Sequence, residues 1–514
     1  MITSPKTSRA TTVKNYQTIL LEDVLVMSYQ SFYEEVTAMM RDGESYHIVN
    51  YFAFQHRLVL KFICIIAIDS NQTLRVFSHE LSLKQPLSSY SLPSISAEIY
   101  QFHIFEREIW ENHGIYFENH PWLKPVRFAF DRANTMKVND YPFYKIDSEE
   151  LHEVGVGPIH AGVIEPGHFR FICNGEMVLH LEIQLGWQHR GVEKLYLEKT
   201  KLLQRTVLSE SIAGDTAVGH ACTFVMGIES NAGIKVDTEL AIERTIGLEL
   251  ERVAMALFDL SNLNVGTAYQ LASSVYGALR TPVINYFQAW CGNRFGKGLI
   301  RVGGTHYPLT AELQQRLKKL LYEVEWRSEE MSEKAFNLPS EQSRFEEIGK
   351  VTYRQMYLIG AVGQAAKAAG LKRDVRWSHP DITYQSLDFK PVTLSTGDVW
   401  ARFLLRRLEL LQSIGLIRQL LSIHSNISTR PKPRYDDTVN LTPNSLTISI
   451  NEGWRGEICH TMVTGDEGEL IRYKVKDPSL HNWLALALSL RDLEISDFPI
   501  NNKSYNLSYC GFDL

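Results

Sequence analysis

Residues 157–171 read GPIHAGVIEPGHFRF, a loop in which glycines flank three titratable side chains before a strand-like run begins. The three side chains are those of His160, Glu165 and His168. Glycine admits the backbone angles of tight turns, and a loop of this kind can present proton-transfer or ligand-binding groups to a cavity. We therefore expect a functional loop at this point of the chain.

The chain after this loop predicts a β-hairpin and then long helices. Asn174-Gly175 separates two alternating apolar runs, and this dipeptide supplies the positive φ angles of a tight turn. Apolar spacing predicts helices over 238–260, 310–336 and 400–423, and strands over 445–450 and 457–464. The expected fold class is α+β, with a helical bundle and a small antiparallel sheet in this part of the chain.

The chain before the loop predicts a separate, small α/β domain. A helical pattern around residues 20–40 precedes strand-like runs at 46–53, 58–67 and 74–77. A polar, acidic stretch at 134–156 suits a connector. We expect the small domain to span 1–133, the linker 134–156 and the larger domain 157–514.

Composition limits the class of protein. The 514 residues are 44% hydrophobic and carry a formal net charge of −6 without a dense Lys/Arg block, which argues against a nucleic-acid partner. The most apolar stretch, residues 61–68, is far shorter than the roughly 20 residues of a membrane-spanning helix. The polar N-terminus lacks the apolar core of a secretory signal. We expect a cytoplasmic protein that reaches the membrane through partners.

The six cysteines are scattered, and no two stand at the Cys-x-x-Cys spacing that lets two thiolates of one turn share a metal. Isolated cysteines in a cytosolic chain are usually reduced and buried. Because the chain has no cluster motif, we expect any iron-sulfur clusters to lie in partner subunits.

Several motifs, taken in order, resemble the large subunit of group 4 nickel-iron hydrogenases and, more distantly, the corresponding subunit of complex I. Besides the 157–171 loop they are LGWQHRGVEKL at 185–195, CGNRFGKGLIRVGG at 291–304, GDVWARFLLRRLELLQS at 397–413, RGEICH at 455–460 and DPSLHNW at 477–483. FEREIWENHGIYFENHPWL at 105–123 is similar to the signature of the small, 30 kDa-type complex I subunit, which formate hydrogenlyase carries fused to its large subunit. The resemblance implies a 30 kDa-type domain followed by a hydrogenase-like, 49 kDa-type domain.

The resemblance also shows what this chain lacks. In family hydrogenases two Cys-x-x-Cys pairs bind nickel and iron, since thiolates suit that metal pair. Here Ala213 and Thr216 stand at the first pair, and Ser508 and Gly511 stand at the second. The pattern is closest to subunits related to energy-converting hydrogenases that lack the metal-binding cysteines, and it implies that this chain binds no metal.

Complex I uses the equivalent cavity for a quinone headgroup. By this resemblance the chain is expected to be an oxidoreductase subunit, of the NADH-quinone oxidoreductase or hydrogenase-like kind, that acts only within a complex. The implied partners are an iron-sulfur small subunit, membrane-embedded complex I-like subunits and quinone, on the inner face of the cell membrane. One departure is that Gly214 and Asp215 stand where complex I carries a quinone-binding tyrosine.

Seven side chains are candidates for this cavity. The proton-transfer candidates are Glu165, Asp215 and His220, and the cofactor-binding candidates are His160, His168, Ser508 and Tyr509. Histidine can donate a hydrogen bond to a quinone oxygen and exchange a proton near neutral pH, and burial raises the pKa of a carboxyl group toward a useful range.

Each candidate also has a structural interpretation. Glu165 could form a salt bridge within the loop, and the two loop histidines could tie the turn together. Asp215 and His220 could serve in capping and packing, because residues five apart lie roughly 140° apart around a regular helix. For the whole chain, the alternatives are an inactive assembly scaffold and a nickel-iron hydrogenase with altered ligands.

Overall fold

The computed structural model describes residues 10–41, 45–160, 164–424 and 437–514. The strands are β1 Thr11–Val13, β2 Thr18–Leu20, β3 Val26–Met27, β4 Tyr46–His56, β5 Val59–Ile68, β6 Thr73–Ser82, β7 Ser91–Pro93, β8 Tyr116–Glu118, β9 His152–Val156, β10 His168–Asn174, β11 Met177–Gln184, β12 Ile300–Arg301, β13 Gly304–Thr305, β14 Ser445–Gly453, β15 Gly456–Thr464, β16 Leu470–Lys476 and β17 Leu493–Glu494. The helices are α1 Tyr29–Arg41, α2 His103–His113, α3 Val192–Glu198, α4 Leu202–Ser209, α5 Ala217–Ala232, α6 Thr238–Gly266, α7 Gln270–Cys291, α8 Ala311–Phe336, α9 Pro339–Phe345, α10 Tyr353–Ile359, α11 Gly363–Ala368, α12 Val375–Ser378, α13 Val399–Ile423, α14 Ser479–Ser489, α15 Phe498–Tyr505 and α16 Tyr509–Asp513.

The N-terminal sheet is built on the antiparallel strands β4, β5 and β6, with β1 and β3 paired to β6. Side chains of a strand alternate between its two faces. On β5, Phe62 and Ile66 pack in the core that includes helix α1, whereas Ile63 and Ile65 pack in the core that includes β14. The sheet is therefore covered on both faces, which explains its continuous apolar sequence.

The start of the chain differs from the expected helix over residues 20–40. Helix α1 begins only at Tyr29, and residues 18–20 form β2, which pairs antiparallel with β14 of the C-terminal sheet. A pairing partner more than 400 residues away leaves no local periodicity to detect. The N-terminal segment consequently ties the sheets of the two parts of the chain together.

The hairpin predicted around Asn174-Gly175 is present as β10 and β11, which pair antiparallel. A third strand, β9, pairs with the outer edge of β10. Residues 152–156, which the sequence analysis assigned to the linker, therefore extend the hairpin sheet.

The helical bundle is centred on α6, which packs against α7 and α13. Three of its long helices, α6, α8 and α13, begin after residues whose side chains accept a hydrogen bond from the first turn, the usual N-terminal cap. Asp237 accepts from Glu239, Thr310 from Leu313 and Asp398 from Ala401. Polar caps followed by apolar periodicity explain why the predicted helices agree with the observed ones.

Membrane-spanning helices are not found in the described residues, because no helix there combines the necessary length with sufficient hydropathy.

Candidate functional site

Arg455, at the tip of the β14–β15 hairpin, joins the two segments in which the resemblance places the missing cysteines. Its two terminal nitrogens each donate to the carboxylate of Asp215 at 2.7 Å, and Nη1 also donates to Thr216 Oγ1 at 3.2 Å. Its Nε donates to the carbonyl oxygen of Asn506 at 2.5 Å. A bidentate arginine–carboxylate pair is among the strong polar contacts in proteins. The hairpin tip therefore fastens the start of α5 to the C-terminal segment.

A buried chain of hydrogen bonds runs behind this pair. His220 Nε2 lies 3.1 Å from Asp477 Oδ2, and its Nδ1 lies 3.1 Å from His460 Nε2. His460 Nδ1 lies 2.8 Å from the hydroxyl of Tyr473. Burial lowers the pKa of His460 well below its ordinary value, so this ring is neutral. The contacts thus run without a break from Tyr473 through His460 and His220 to Asp477.

Asp477 is held as an anion at the end of this chain. Burial alone would raise the pKa of Asp477, but His220, Arg455 and Ser479 together outweigh burial and lower the pKa below its ordinary value. The other carboxylate oxygen accepts the amide of Ser479 at 2.8 Å. The chain thus fixes a carboxylate beside the C-terminal segment.

The residues at this site do not fit a nickel-iron centre. Ala213 offers no donor atom, and the Ser508 hydroxyl oxygen is occupied in accepting the amide of Gly511 at 2.9 Å. A Cβ added at Gly511 would meet Asp477 Cγ at 2.6 Å, so a cysteine there would require a shift. In the parts of the chain that the structure describes, no three His, Cys, Asp or Glu side chains are grouped as metal ligands.

The two loop histidines have different surroundings. His168 Nδ1 donates to the carbonyl oxygen of Gly157 at 3.1 Å, and Arg170 Nε donates to its Nε2 at 3.3 Å. His168 therefore ties the turn together, as in the structural interpretation. The His160 ring lies 5.5 Å from that of Phe169, and burial lowers its pKa. Residues 161–163 of the loop lie outside the described residues.

Glu165, in the loop, and Tyr509, in the C-terminal segment, lie where these two segments meet. Glu165 Oε2 accepts the amide of Cys510 at 3.4 Å. The Tyr509 ring packs edge-on against Trp483 at 4.7 Å, and burial raises its pKa to about 12. A Cβ at Gly167 would meet the Tyr509 ring at 2.7 Å, which explains the glycine that ends the loop.

The structure gathers only some of the seven predicted residues. Asp215 and His220 bind Arg455 and Asp477, and Ser508 lies beside Asp477 through a hydrogen bond from its amide to the Ser479 hydroxyl, whereas His160, Glu165 and Tyr509 lie at the loop. Asp215 and His220 bind different partners, in agreement with the spacing argument.

Sequence reasoning assigned no role to three residues of this site, Arg455, His460 and Asp477. All three lie in RGEICH and DPSLHNW, which were used only as markers of the fold. A buried charge within a matched motif is a signal that could have found them.

Comparisons with known proteins agree with this architecture. Residues 272–513 match the family model described as respiratory-chain NADH dehydrogenase, 49 Kd subunit, and residues 27–142 match the 30 Kd subunit. The carbon monoxide-induced hydrogenase of Rhodospirillum rubrum is 30% identical over 353 residues, which cover 68% of this chain and 95% of that protein. The chain belongs to the complex I and hydrogenase subunit family. The predicted family resemblance is therefore confirmed.

Other members of the complex I and hydrogenase subunit family differ in length. Hydrogenase-4 component G of Escherichia coli is 26% identical over 360 residues, and the chain spans 61% of its length. A chain from the structure of the membrane-bound sulfane sulfur reductase, an archaeal respiratory membrane complex, aligns with a TM-score of 0.65. The alignment covers 72% of this chain and 100% of that chain at 23% identity. This likeness confirms the α+β fold.

Proposed function

We propose that this chain is the metal-free, hydrogenase-like core subunit of a membrane-associated respiratory oxidoreductase complex. Iron-sulfur clusters of a partner subunit supply electrons, and a quinone-type acceptor receives them beside the Arg455–Asp215 pair. Membrane-embedded complex I-like subunits hold the chain on the cytoplasmic face of the membrane. The match to both NADH dehydrogenase subunits and the similarity to a hydrogenase support this assignment.

The observation that carries the proposal is the position of the Arg455–Asp215 pair. The Arg455 side chain is 5% exposed, whereas the Asp215 side chain is 31% exposed, so the pair joins the interior to the surface. A fixed guanidinium stabilises negative charge that develops on an acceptor oxygen, and a neighbouring carboxylate can pass a proton. Reduction of a quinone to a quinol requires both stabilised negative charge on the acceptor oxygen and a supply of protons.

The interior itself has little room for an acceptor. The cleft beside Asp215 has a volume of about 10 Å³, close to the space that one water molecule needs. The ring of an acceptor therefore has to bind at the mouth of the cleft, on the exposed side of Asp215.

The same filled interior favours a second candidate function, an assembly scaffold. The polar side chains at the site satisfy one another, Arg455 with Asp215 and His220 with Asp477. A scaffold requires the fold and its surfaces but no acceptor chemistry.

Oxidation of the reduced complex separates the two functions. The purified complex, with its clusters chemically reduced, is mixed with short-chain ubiquinone or menaquinone, and cluster oxidation is followed spectroscopically. We expect oxidation by a quinone, slowed strongly by Asp215→Asn and by His160→Ala, with every subunit retained on size exclusion. The control is Asp131→Asn, an exposed acid paired with Lys194. No oxidation by either quinone, or loss of subunits in the variants, would support the scaffold.

Elemental analysis tests the absence of the metal centre. We expect nickel far below one atom per chain and no H₂ uptake, because the positions of the four thiolates hold Ala213, Thr216, Ser508 and Gly511. Stoichiometric nickel in the purified complex would contradict the proposal and favour a hydrogenase with altered ligands.

A further inference from the structure

Glu251, on helix α6, is a buried carboxyl group for which the described residues provide no ion pair. The residue is 5% exposed. Its two oxygens accept the amides of Val218 at 2.8 Å and Gly219 at 3.1 Å, in the first turn of α5. Thr216, at the N-cap of α5, makes no side-chain cap of its own. Glu251 therefore supplies the cap from a neighbouring helix.

The protonation of Glu251 reflects opposing influences. Burial favours the neutral acid, whereas the amide hydrogen bonds at a helix N-terminus favour the anion. Burial dominates and, with the nearby Asp215 charge acting in the same direction, raises the pKa of Glu251 to about 8. At neutral pH this carboxyl group consequently retains its proton.

The carboxyl group faces the same cleft as Asp215. Two arginines, Arg280 of α7 and Arg294 of the following loop, also line the cleft, and the remaining walls are apolar. The other charged or titratable groups near Glu251 are Arg252 of its own helix, Cys222 of α5 and, through its pair with Asp215, Arg455. With room for about one water, the cleft can connect Glu251 to the exposed side of Asp215.

We propose that Glu251 carries a proton to the acceptor at Asp215, through one water in the cleft. This inference rests on the proposed acceptor reduction and names the internal proton donor for it. Asp477 is unsuited to the role because His220 and the Ser479 amide hold it as an anion. Glu452 is also unsuited, because it lines a different cavity, beside Val375 and Glu457, and not the cleft that Asp215 and Glu251 share.

The step balances for a quinone acceptor. Two electrons arrive from reduced iron-sulfur clusters of the partner subunit, and two protons convert the quinone to the quinol. One proton leaves the carboxyl group of Glu251, which becomes a carboxylate, and the other comes from solvent at the exposed side of Asp215. Glu251 then takes up a proton from solvent through the same cleft.

Substitution of Glu251 in the intact complex tests this role. With short-chain ubiquinone as the probe, we expect Glu251→Gln to lower kcat about a hundredfold or more, the effect typical of losing a general acid, and to leave KM for the quinone unchanged. Glu251→Asp keeps a carboxyl group and is expected to restore much of the rate. The wild-type rate is expected to fall as pH rises through about 8, and this fall should be missing in Glu251→Gln.

The matched control is Glu341→Gln. Glu341 is likewise buried but lies on α9 and accepts the hydroxyl of Thr267. The Glu341→Gln variant should keep the wild-type rate of quinone reduction and the wild-type pH profile. A wild-type rate and pH profile in Glu251→Gln would overturn the inference while the proposed function stands.

A wild-type complex that does not reduce the quinone would instead refute the proposed function. Infrared spectroscopy of the complex then tests the proton on Glu251 separately. A protonated-carboxyl band that titrates near pH 8 and disappears in Glu251→Gln but not in Glu341→Gln would support a stored proton. Absence of that band in the wild type would show that Glu251 stores no proton.

Discussion

Helix α6 carries two buried glutamates two residues apart, and they face opposite sides of the helix because two residues span about 200°. Glu249 accepts hydrogen bonds from Arg376 at 3.1 Å, Ser413 at 2.6 Å and Tyr384 at 2.5 Å. Burial alone would raise the pKa of Glu249, but Arg376, Arg252 and the hydroxyl donors Ser413 and Tyr384 together outweigh burial and lower the pKa. Among the described residues Glu251 accepts two backbone amides, and burial raises its pKa to about 8.

The difference in pKa between Glu249 and Glu251 follows from the groups that each face of α6 contacts. Glu249 belongs to a buried ion cluster in which Lys367 binds Asp374 at 2.8 Å and also pairs with Glu409. On the other face, helix α5 supplies Glu251 with two amides. No cation among the described residues forms an ion pair with it. Removing one partner of a buried ion pair is strongly destabilising, whereas a buried acid with a perturbed pKa in a cleft is a candidate for proton transfer. We therefore expect substitutions on the cluster side to affect stability and those on the cleft side to affect chemistry.

The largest effect is expected from Glu249→Gln. Removing this charge leaves the buried Arg376 without one of its carboxylates, which should lower the free energy of unfolding by about 3–5 kcal/mol. Chemical denaturation of the purified chain measures the change. A matched control is Glu325→Gln, since Glu325 pairs with Arg418 near the surface, where about 0–1 kcal/mol is expected. Equal effects of Glu249→Gln and Glu325→Gln would show that the buried cluster contributes no more to stability than an ion pair near the surface.

Gly511→Ala should have a smaller effect, which bears on the segment where the resemblance places the second cysteine pair. Its new methyl group would meet Asp477 at 2.6 Å, and overpacking of this kind costs about 1–3 kcal/mol. Gly214→Ala is the control within the other cysteine-replacing segment, because a Cβ there meets nothing within 4 Å. A lower melting temperature for Gly511→Ala alone would confirm that Asp477 lies against Gly511, and equal melting temperatures would contradict it.

The pH dependence of stability tests the proton on Glu251. Its folded pKa of about 8 exceeds the ordinary 4.5, so its contribution is fully present below about 4.5 and is lost as pH rises through about 8. Between pH 5 and pH 9 the wild type should lose stability relative to Glu251→Gln by at least about 1.4 kcal/mol, the equivalent of one pKa unit. Denaturation at both pH values measures this difference. If the stability difference between the wild type and Glu251→Gln is the same at pH 5 and pH 9, Glu251 is ionised in the folded protein.

Asp215→Asn should change stability least. Because the Asp215 side chain is 31% exposed and an asparagine can still accept a hydrogen bond from the buried Arg455, a loss of about 1 kcal/mol is expected. Arg455 retains its bonds to Thr216 and Asn506. A near-normal melting temperature together with loss of quinone reduction would place the effect of this residue in the chemistry. A large loss of stability would instead make Asp215 a structural residue like Glu249.

The secondary structure with strong local signals was predictable. The Asn174-Gly175 turn gave the β10–β11 hairpin, and apolar periodicity gave α6, α8 and α13 nearly to their ends. The short strand β2 was not predictable, because its partner β14 is distant in the sequence. The same limit applies to β9 in the supposed linker.

For the candidate site, the sequence identified positions but not partners. It singled out Asp215 and His220, yet the residues that bind them, Arg455 and Asp477, lie more than 200 positions away. His168, predicted to bind an acceptor, also holds the turn through Gly157, a contact that the sequence does not reveal. Glu251 was not singled out, since one glutamate on a helix of mixed composition has no local signal of function.

The amino-acid sequence by itself determined the family, the main helices and hairpin, and the replacement of four thiolate ligands, because motifs and periodicity are local properties of the chain. Only the tertiary structure decided that Arg455 fastens Asp215 to the C-terminal segment and that Glu249 and Glu251 differ in protonation. The physical reason is that the pKa and the contacts of a buried side chain depend on burial and on charges brought together from distant positions.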